Sequence, residues 1–199
     1  MRYDTEHKAR TRSRILDEAA AAMRASGPHG VSVATVMSSA GLTVGGFYAH
    51  FASKDDLIAQ AIGHMFDERY GRLMQLDSVE SPKAALEMFV RAYLDPAHLR
   101  QPEKACPIPM LASEVPRLDL AARAAFQAGY ERLIAVIEKL LELGNAENPQ
   151  PLAQTILTQM VGSLVIARSL PDSASAASVL ELTRNDVMRQ VNHVTKKFG

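Results

Sequence analysis

The chain has 199 residues, of which 47% are apolar, and its 22 basic and 22 acidic side chains give a formal net charge of zero. A chain of this length buries a substantial core in one or two domains without cross-links. The single cysteine, Cys106, excludes an internal disulfide and a multi-cysteine zinc site. Because no apolar run is long enough to span a bilayer and the N-terminus lacks a signal-peptide pattern, we expect a soluble, cytoplasmic protein with no membrane partner.

Apolar residues recur at spacings of three and four along nearly the whole chain, which predicts an all-α fold. The N-terminal part is expected to contain four helices, at residues 11–25, 33–40, 44–51 and 53–73. Glycine and proline at residues 27–30 end the first helix, and Ser32 caps the second. Gly41 is expected to take the left-handed conformation, Thr43 to cap the third helix, and Ser53 to open a capping box for the fourth.

Further helices are expected in the C-terminal part, at residues 82–95, 109–115, 118–143, 149–170 and 173–197. Ser81 and Pro82 begin the first of them, and either Ser173 or Ser175 caps the last. Residues 95–109 include four prolines and are expected to form a loop. The order of the elements predicts a small N-terminal three-helix unit at residues 8–52, which the fourth helix joins to a larger helical domain.

Residues 31–50 have the spacing of a helix-turn-helix, in which two helices of similar length flank a glycine-containing turn. Gly45 and Gly46 lie in the second helix, where two glycines cost on the order of 2 kcal/mol relative to alanine. Without side chains at these positions, the backbone can closely approach phosphates or base edges. The pattern therefore indicates a recognition helix for the major groove of DNA.

The sequence GLTVGGFYAHFASKDDL at residues 41–57 closely resembles the signature of the tetracycline-repressor (TetR/AcrR) family of bacterial transcriptional regulators. The resemblance covers about residues 8–68, and the rest of the chain resembles the family only in being helical. It implies a DNA-binding domain at 8–68, with the helix-turn-helix at about 31–50, and a helical effector-binding and dimerisation domain at 75–199. Such a protein is a homodimer, commonly a repressor, that binds a palindromic double-stranded DNA operator and responds to a small-molecule effector.

The resemblance also implies which residues contact DNA: Thr43, Val44, Gly45, Gly46, Tyr48, His50 and Lys54. Tyrosine and lysine suit phosphates, and threonine or valine methyl groups suit the thymine methyl. No arginine, asparagine or glutamine lies between residues 43 and 51, so the recognition helix cannot read guanine or adenine through bidentate pairs. We expect specificity from DNA shape, main-chain contacts and a basic N-terminal arm, in which Arg12 and Arg14 are candidates for minor-groove or phosphate contact. The alternative for this arm is a solvated, disordered start.

Phe47 and Phe51, spaced i and i+4, are expected in the core of the three-helix unit. Other aromatic and methionine residues suit an apolar effector pocket, although an ordinary core explains the same pattern. The candidate lining residues are Phe66, Tyr70, Phe89, Tyr93, Met110, Phe126 and Tyr130. Cys106 is a candidate thiol sensor because it lies near a lysine and a helix start, and the alternative is a small buried apolar residue.

Wide apolar stripes on the last two helices predict a homodimer formed through these helices, with a purely intramolecular core as the alternative. The sequence contains no common catalytic motif and no histidine pair at metal-ligand spacing. We therefore expect no enzymatic activity, no catalytic residue, no metal site and no cofactor. The competing function is a helical small-molecule or partner-binding module with a vestigial DNA-binding half, which would show no salt-dependent affinity for DNA.

Overall fold

A computed structural model describes residues 2–71, 73, 81–101 and 105–195, and the regular structure within these residues is entirely helical. The α-helices are α1 Arg2–Ser26, α2 Val33–Ser39, α3 Lys54–Tyr70, α4 Pro82–Tyr93, α5 Ala97–Arg100, α6 Pro107–Leu111, α7 Leu120–Leu143, α8 Pro149–Ser169 and α9 Ser173–Thr195. Two short 3-10 helices occupy Val44–Ala49 and Val115–Arg117. The all-α prediction is confirmed. In this part of the chain, none of the helices combines the length and the apolar character needed to cross a membrane.

The described residues pack as two compact units. The first contains the chain up to Arg69 together with Cys106–Gly129, and the second contains Tyr70–Ala105 and the chain from Tyr130 onward. The predicted domains differ from these units because they assign segment 106–129 to the C-terminal half. That segment packs against the N-terminal helices: the rings of Phe126 and Phe66 meet edge to face, with centroids 6.0 Å apart.

Helix α1 begins at Arg2, nine residues before its predicted start at residue 11. The charged residues in this first part show no apolar periodicity, but they include no glycine or proline that would stop a helix. Further along, α1 buries an apolar face of Ile15, Leu16, Ala19, Ala20 and Met23. The helix ends where Gly27 adopts a positive φ of +70° and its N–H donates to Met23 O at 2.9 Å.

Local capping positions the helix-turn-helix as the sequence predicts. Ser32 Oγ accepts a hydrogen bond from Thr35 N–H at 3.4 Å, and Gly41 has a φ of +68° after α2. At the start of α3, Ser53 Oγ accepts from Asp56 N–H at 3.0 Å, and Asp56 Oδ2 accepts from Ala52 N–H at 2.9 Å. This reciprocal pair satisfies N–H groups that the helix itself leaves without acceptors.

In the second unit, α4 and α8 both pack against α9. Helix α4 begins at Pro82 as predicted, and Ser81 Oγ caps it by accepting from Ala84 N–H at 3.4 Å. The prediction for the cap of α9 was wrong, because Asp172 Oδ1 accepts from Ser175 N–H at 2.7 Å. A carboxylate there also complements the partial positive charge of the helix N-terminus. The predicted end of this helix, at residues 196–197, lies outside the described residues.

The proline-rich segment between the two halves is more ordered than a loop. Helices α5 and α6 lie within or at the end of the predicted loop 95–109, and α6 begins two residues earlier than the predicted helix 109–115. Prolines favour this arrangement because the first turn of a helix needs no proline N–H. Pro107 accordingly lies in the first turn of α6.

Candidate nucleic-acid interface

The second helix of the helix-turn-helix is a 3-10 helix at Val44–Ala49, where an α-helix over residues 44–51 was predicted. Phe47 and Phe51 are both buried, and their rings stack with centroids 5.6 Å apart. This confirms their predicted place in the core. They fix the inner face of the 3-10 helix, while Val44 is 48% exposed and Tyr48 is 76% exposed on its outer face.

The two glycines of this helix are not required by the packing of the described chain. A Cβ atom added to Gly45 would meet nothing within 4 Å, and one added to Gly46 would meet only Met37 Cε at 3.9 Å. Neither glycine has a positive φ, unlike Gly27 and Gly41. The Gly-Gly pair lowers α-helix propensity, which accounts for the 3-10 conformation. It also leaves bare backbone on the exposed surface, where an external ligand can approach closely.

His50 follows the 3-10 helix and lies half-buried. Its Nδ1 atom is buried and has no hydrogen-bond partner among the described residues. The pKa of His50 lies below its ordinary value, first because burial disfavours the imidazolium and then because Lys8 and Arg12 repel its charge. The imidazole is therefore neutral near pH 7 in the free chain, and Nε2 is the nitrogen left to meet an external group.

Arg12 and Arg14 belong to α1 and not to a disordered arm. The Arg12 guanidinium lies 5.0 Å from the centroid of the Phe51 ring, a cation–π contact. Arg14 donates a hydrogen bond to the backbone oxygen of Ala40 at the end of α2. The alternative of a solvated, disordered start is wrong because α1 continues to Arg2, and DNA contact by Arg12 or Arg14 stays a prediction. Arg14 joins α1 to α2, and Arg12 lies beside the end of the 3-10 helix.

Lys54 is the first residue of α3 and is exposed, as a phosphate contact requires. Its Nζ donates to His29 O at 3.4 Å, a long hydrogen bond that costs little to exchange for another acceptor. A cavity of about 280 Å³ lies beside it, lined also by Arg117 and Asp119. Thr43 is exposed at the start of the 3-10 helix and makes no side-chain capping bond, contrary to its predicted capping role.

The candidate pocket residues divide between the two units. Phe66, Met110 and Phe126 belong to the first unit, and Tyr70, Phe89, Tyr93 and Tyr130 to the second. In the second unit the ring centroids of Tyr70 and Phe89 are 6.2 Å apart, and those of Phe89 and Tyr93 are 5.8 Å apart. These are the distances of packed core aromatics, and a ligand-lining role for the set stays a prediction.

Cys106 is completely buried at the start of α6. A thiol without solvent contact is shielded from oxidants and electrophiles, so its burial favours the apolar alternative over a sensor. Within residues 2–71, 73, 81–101 and 105–195, no three histidine, cysteine, aspartate or glutamate side chains are grouped to hold a metal ion.

Most of the apolar stripe on α8 packs inside the chain, where Ile156, Leu157, Met160 and Leu164 are buried. A smaller apolar surface stays outside. Val165 is 40% and Ile166 is 54% exposed on α8, and Leu182 is 69% exposed on α9. Gly162 is exposed too, and a Cβ added there would meet nothing within 4 Å.

Residues 15–61 match the family model described as bacterial regulatory proteins, tetR family. This segment of the chain therefore has the sequence of a TetR-family DNA-binding domain. The match covers the second half of α1, the helix-turn-helix and the first part of α3, so the candidate DNA contacts from Thr43 to Lys54 lie inside it. No curated protein matches the sequence.

Solved structures of TetR-family proteins share the fold of nearly the whole chain. E. coli NemR in its reduced form has a TM-score of 0.76 and 20% identity, with 90% of this chain and 96% of that chain covered. A TetR transcriptional regulator from Chloroflexus aurantiacus has a TM-score of 0.76 and 23% identity, with 94% and 96% covered. A TetR transcriptional regulator from Legionella pneumophila has a TM-score of 0.74 and 24% identity, with 89% and 95% covered. The C-terminal helices therefore also have a TetR-type fold.

Proposed function

We propose that this chain is a transcriptional repressor that binds a palindromic DNA operator as a homodimer and leaves it when a small molecule binds. The observation that carries the proposal is the outer face of the 3-10 helix. There, Gly45 and Gly46 expose bare backbone that neither packing nor φ explains, beside the exposed side chains of Val44 and Tyr48. A surface of this kind suits close contact with the major groove.

The functions that we propose for the two parts of the chain are those of the family. Residues 8–68 bind DNA, and residues 75–199 bind the effector and form the dimer. Two recognition elements enter successive major grooves when they lie about 34–36 Å apart, so an effector that favours another separation releases the operator. The effector acts only through its different affinity for the two arrangements.

The exposed apolar surface of α8 and α9 supports dimerisation through the last two helices. Gly162 permits close approach of a second helix, and Val165 and Ile166 beside it supply apolar area to bury. The exposed apolar surface of α8 is narrower than the apolar stripe predicted from the sequence, because most of that stripe is buried and α8 packs against α9. Val165 and Ile166 of α8 stay exposed.

Substitution of Gly45 by leucine tests the proposal, because the structure separates its effect on folding from its effect on DNA. A Cβ atom at position 45 meets nothing within 4 Å, so the melting temperature is expected to stay near that of the wild type. Affinity for the upstream DNA fragment is expected to fall at least tenfold, since close approach is lost; tenfold corresponds to about 1.4 kcal/mol.

The measurement is fluorescence anisotropy with DNA from upstream of the gene and with a scrambled fragment, at two salt concentrations. The matched control is Gly63→Ala, since Gly63 also has open space around its Cβ position but lies in α3. A preference of about a thousandfold for the upstream fragment in the wild type would be typical of a specific regulator. Equal binding by the wild type and the Gly45→Leu variant would refute the proposed contact surface. Salt-independent, weak binding by all proteins would favour a partner-binding module.

A further inference from the structure

The second unit contains a cavity of about 280 Å³ that shares no residue with the effector pocket predicted from the sequence. It lies between α5, the end of α8 and the start of α9. Helix α5 packs against α8, and α8 packs against α9, so the three helices form one packed group. The volume is close to the lower end of the range typical of small-molecule sites, about 300–1,000 Å³. The cavity therefore suits a small ligand.

Apolar side chains form most of the cavity wall, and two arginines line it as well. The apolar lining includes residues from all three helices: Leu99, Ala167, Leu170 and Ala176. Arg100 is the last residue of α5, and Arg168 lies in the last turn of α8. Guanidinium groups beside an apolar wall favour a ligand that has an anionic end and an apolar body.

The lining of the cavity carries an excess of positive charge. Its acidic residue, Asp172, already caps α9, because Oδ1 accepts from Ser175 N–H at 2.7 Å. Hydrogen bonds from the backbone and the side chain of Ser175 hold the pKa of Asp172 below its ordinary value, so this carboxyl is ionised near pH 7. One carboxylate thus accompanies two guanidinium groups, and the remaining positive charge attracts an anionic group.

The two arginines differ in their surroundings. Arg100 is exposed and forms no ion pair within the described part of the chain. Arg168 is half-buried, and its Nη2 atom is buried. Because water screens a partly buried charge less than an exposed one, Arg168 attracts an anion in the cavity more strongly. The site therefore combines one guanidinium that packing holds in place with one that can turn toward a ligand.

We propose that this cavity binds a small organic carboxylate, with its carboxylate group on Arg100 and Arg168 and its apolar body against Leu99 and Ala176. The inference rests on the proposed function and names the chemical class of its effector. A carboxylate accepts paired hydrogen bonds from a guanidinium group, which a neutral amide of the same shape does not reproduce. The ligand bridges α5 to the turn between α8 and α9, the helices that carry the proposed dimer surface. Its binding therefore favours one arrangement of these helices, as an effector must.

The test compares hexanoate with hexanamide, which has the same apolar chain but no charge. NMR titrations of the isotope-labelled protein without DNA follow the amide signals of Ser173 and Ala176 at the cavity. Hexanoate is expected to shift these signals, and hexanamide is expected to bind about tenfold more weakly because it lacks the charge-assisted hydrogen bonds. Arg100→Gln is expected to weaken hexanoate binding by about the same factor. The matched control is Arg91→Gln, which removes the same charge from an exposed position on α4 outside this cavity.

Equal affinities of the wild type for hexanoate and hexanamide would overturn the site, and so would equal affinities of the wild type and Arg100→Gln for hexanoate. Inorganic phosphate is titrated alone to show whether a bare anion is sufficient. Phosphate binding at the cavity as tight as that of hexanoate would assign the arginines to a free anion and overturn the proposal.

The role of the ligand as an effector is measured separately, by anisotropy with the upstream DNA fragment at saturating hexanoate. The affinity of the wild type for this fragment is expected to fall about fivefold or more, and that of Arg100→Gln to fall less at the same hexanoate concentration. Binding of hexanoate with no change in DNA affinity would overturn the effector role. Failure of the proposed function has a different signature, because the protein then shows no preference for the upstream fragment while hexanoate still binds at the cavity.

Discussion

Gly129 in α7 lies directly against the ring of Phe66. A Cβ atom at this position would come closer than 3.0 Å to three atoms of the Phe66 ring, which is fully buried and held on another side by Phe126. The ring cannot rotate away without disturbing that edge-to-face pair. Gly129→Ala is therefore an overpacking substitution, even though alanine is the better helix former.

The magnitude follows from two opposing effects. Overpacking a filled core costs about 1–3 kcal/mol, and replacing glycine by alanine within a helix gains about 0.8–1.0 kcal/mol. Gly129→Ala is expected to lower the free energy of unfolding by up to about 2 kcal/mol. For a chain of this length, each kcal/mol shifts the melting temperature by roughly 2–4 °C.

Gly63→Ala in α3 is the matched control, because a Cβ atom there meets nothing within 4 Å and only the propensity gain applies. Chemical and thermal denaturation of both variants at one protein concentration measures the difference. Opposite signs are expected, with Gly63→Ala stabilised and Gly129→Ala destabilised. Equal stabilisation of both variants would refute the packing of Phe66 against Gly129, and with it the assignment of segment 106–129 to the N-terminal unit.

Two further predictions concern pH and assembly. Because the pKa of His50 is lowered in the folded chain, the unfolded chain binds this proton more readily. The neutral imidazole thus favours folding above the ordinary pKa of about 6.5, and stability is lost as the pH falls below it. Denaturant titrations between about pH 7.5 and 5.5 should show that the free energy of unfolding falls less for His50→Gln than for the wild type. An identical fall for both proteins would contradict the burial of His50. Ile166→Asp places a charge on the exposed face of α8. Sedimentation is expected to show a dimer for the wild type and a monomer for this variant, with little change in the melting of the monomer; a dimer for both proteins would place the interface elsewhere.

Features that depend on neighbours in sequence could be predicted from the sequence alone. The caps at Ser32 and Ser53 and the left-handed Gly41 are set within a few residues, and each is present in the structure. The buried pair Phe47 and Phe51 follows from helical spacing. The family signature added the candidate DNA contacts, which periodicity could not supply.

The start of α1 was missed because charged residues carry no apolar period, although nothing in them prevents a helix. The i, i+4 spacing of Lys8 and Arg12 is visible in the sequence, but it has meaning only once the segment is known to be helical. The contact of Arg12 with Phe51 joins residues 39 positions apart, which no local pattern specifies.

The sequence by itself determined the helical class and the turn that defines the helix-turn-helix, because capping, glycine conformation and short-range periodicity are local properties. Only the tertiary structure decided which charges converge on His50, that Cys106 is sealed from solvent and that segment 106–129 packs with the N-terminal helices. It also decided how much of the α8 stripe stays exposed. These outcomes depend on the three-dimensional approach of distant segments, where burial and electrostatic interactions are fixed by packing and not by sequence order.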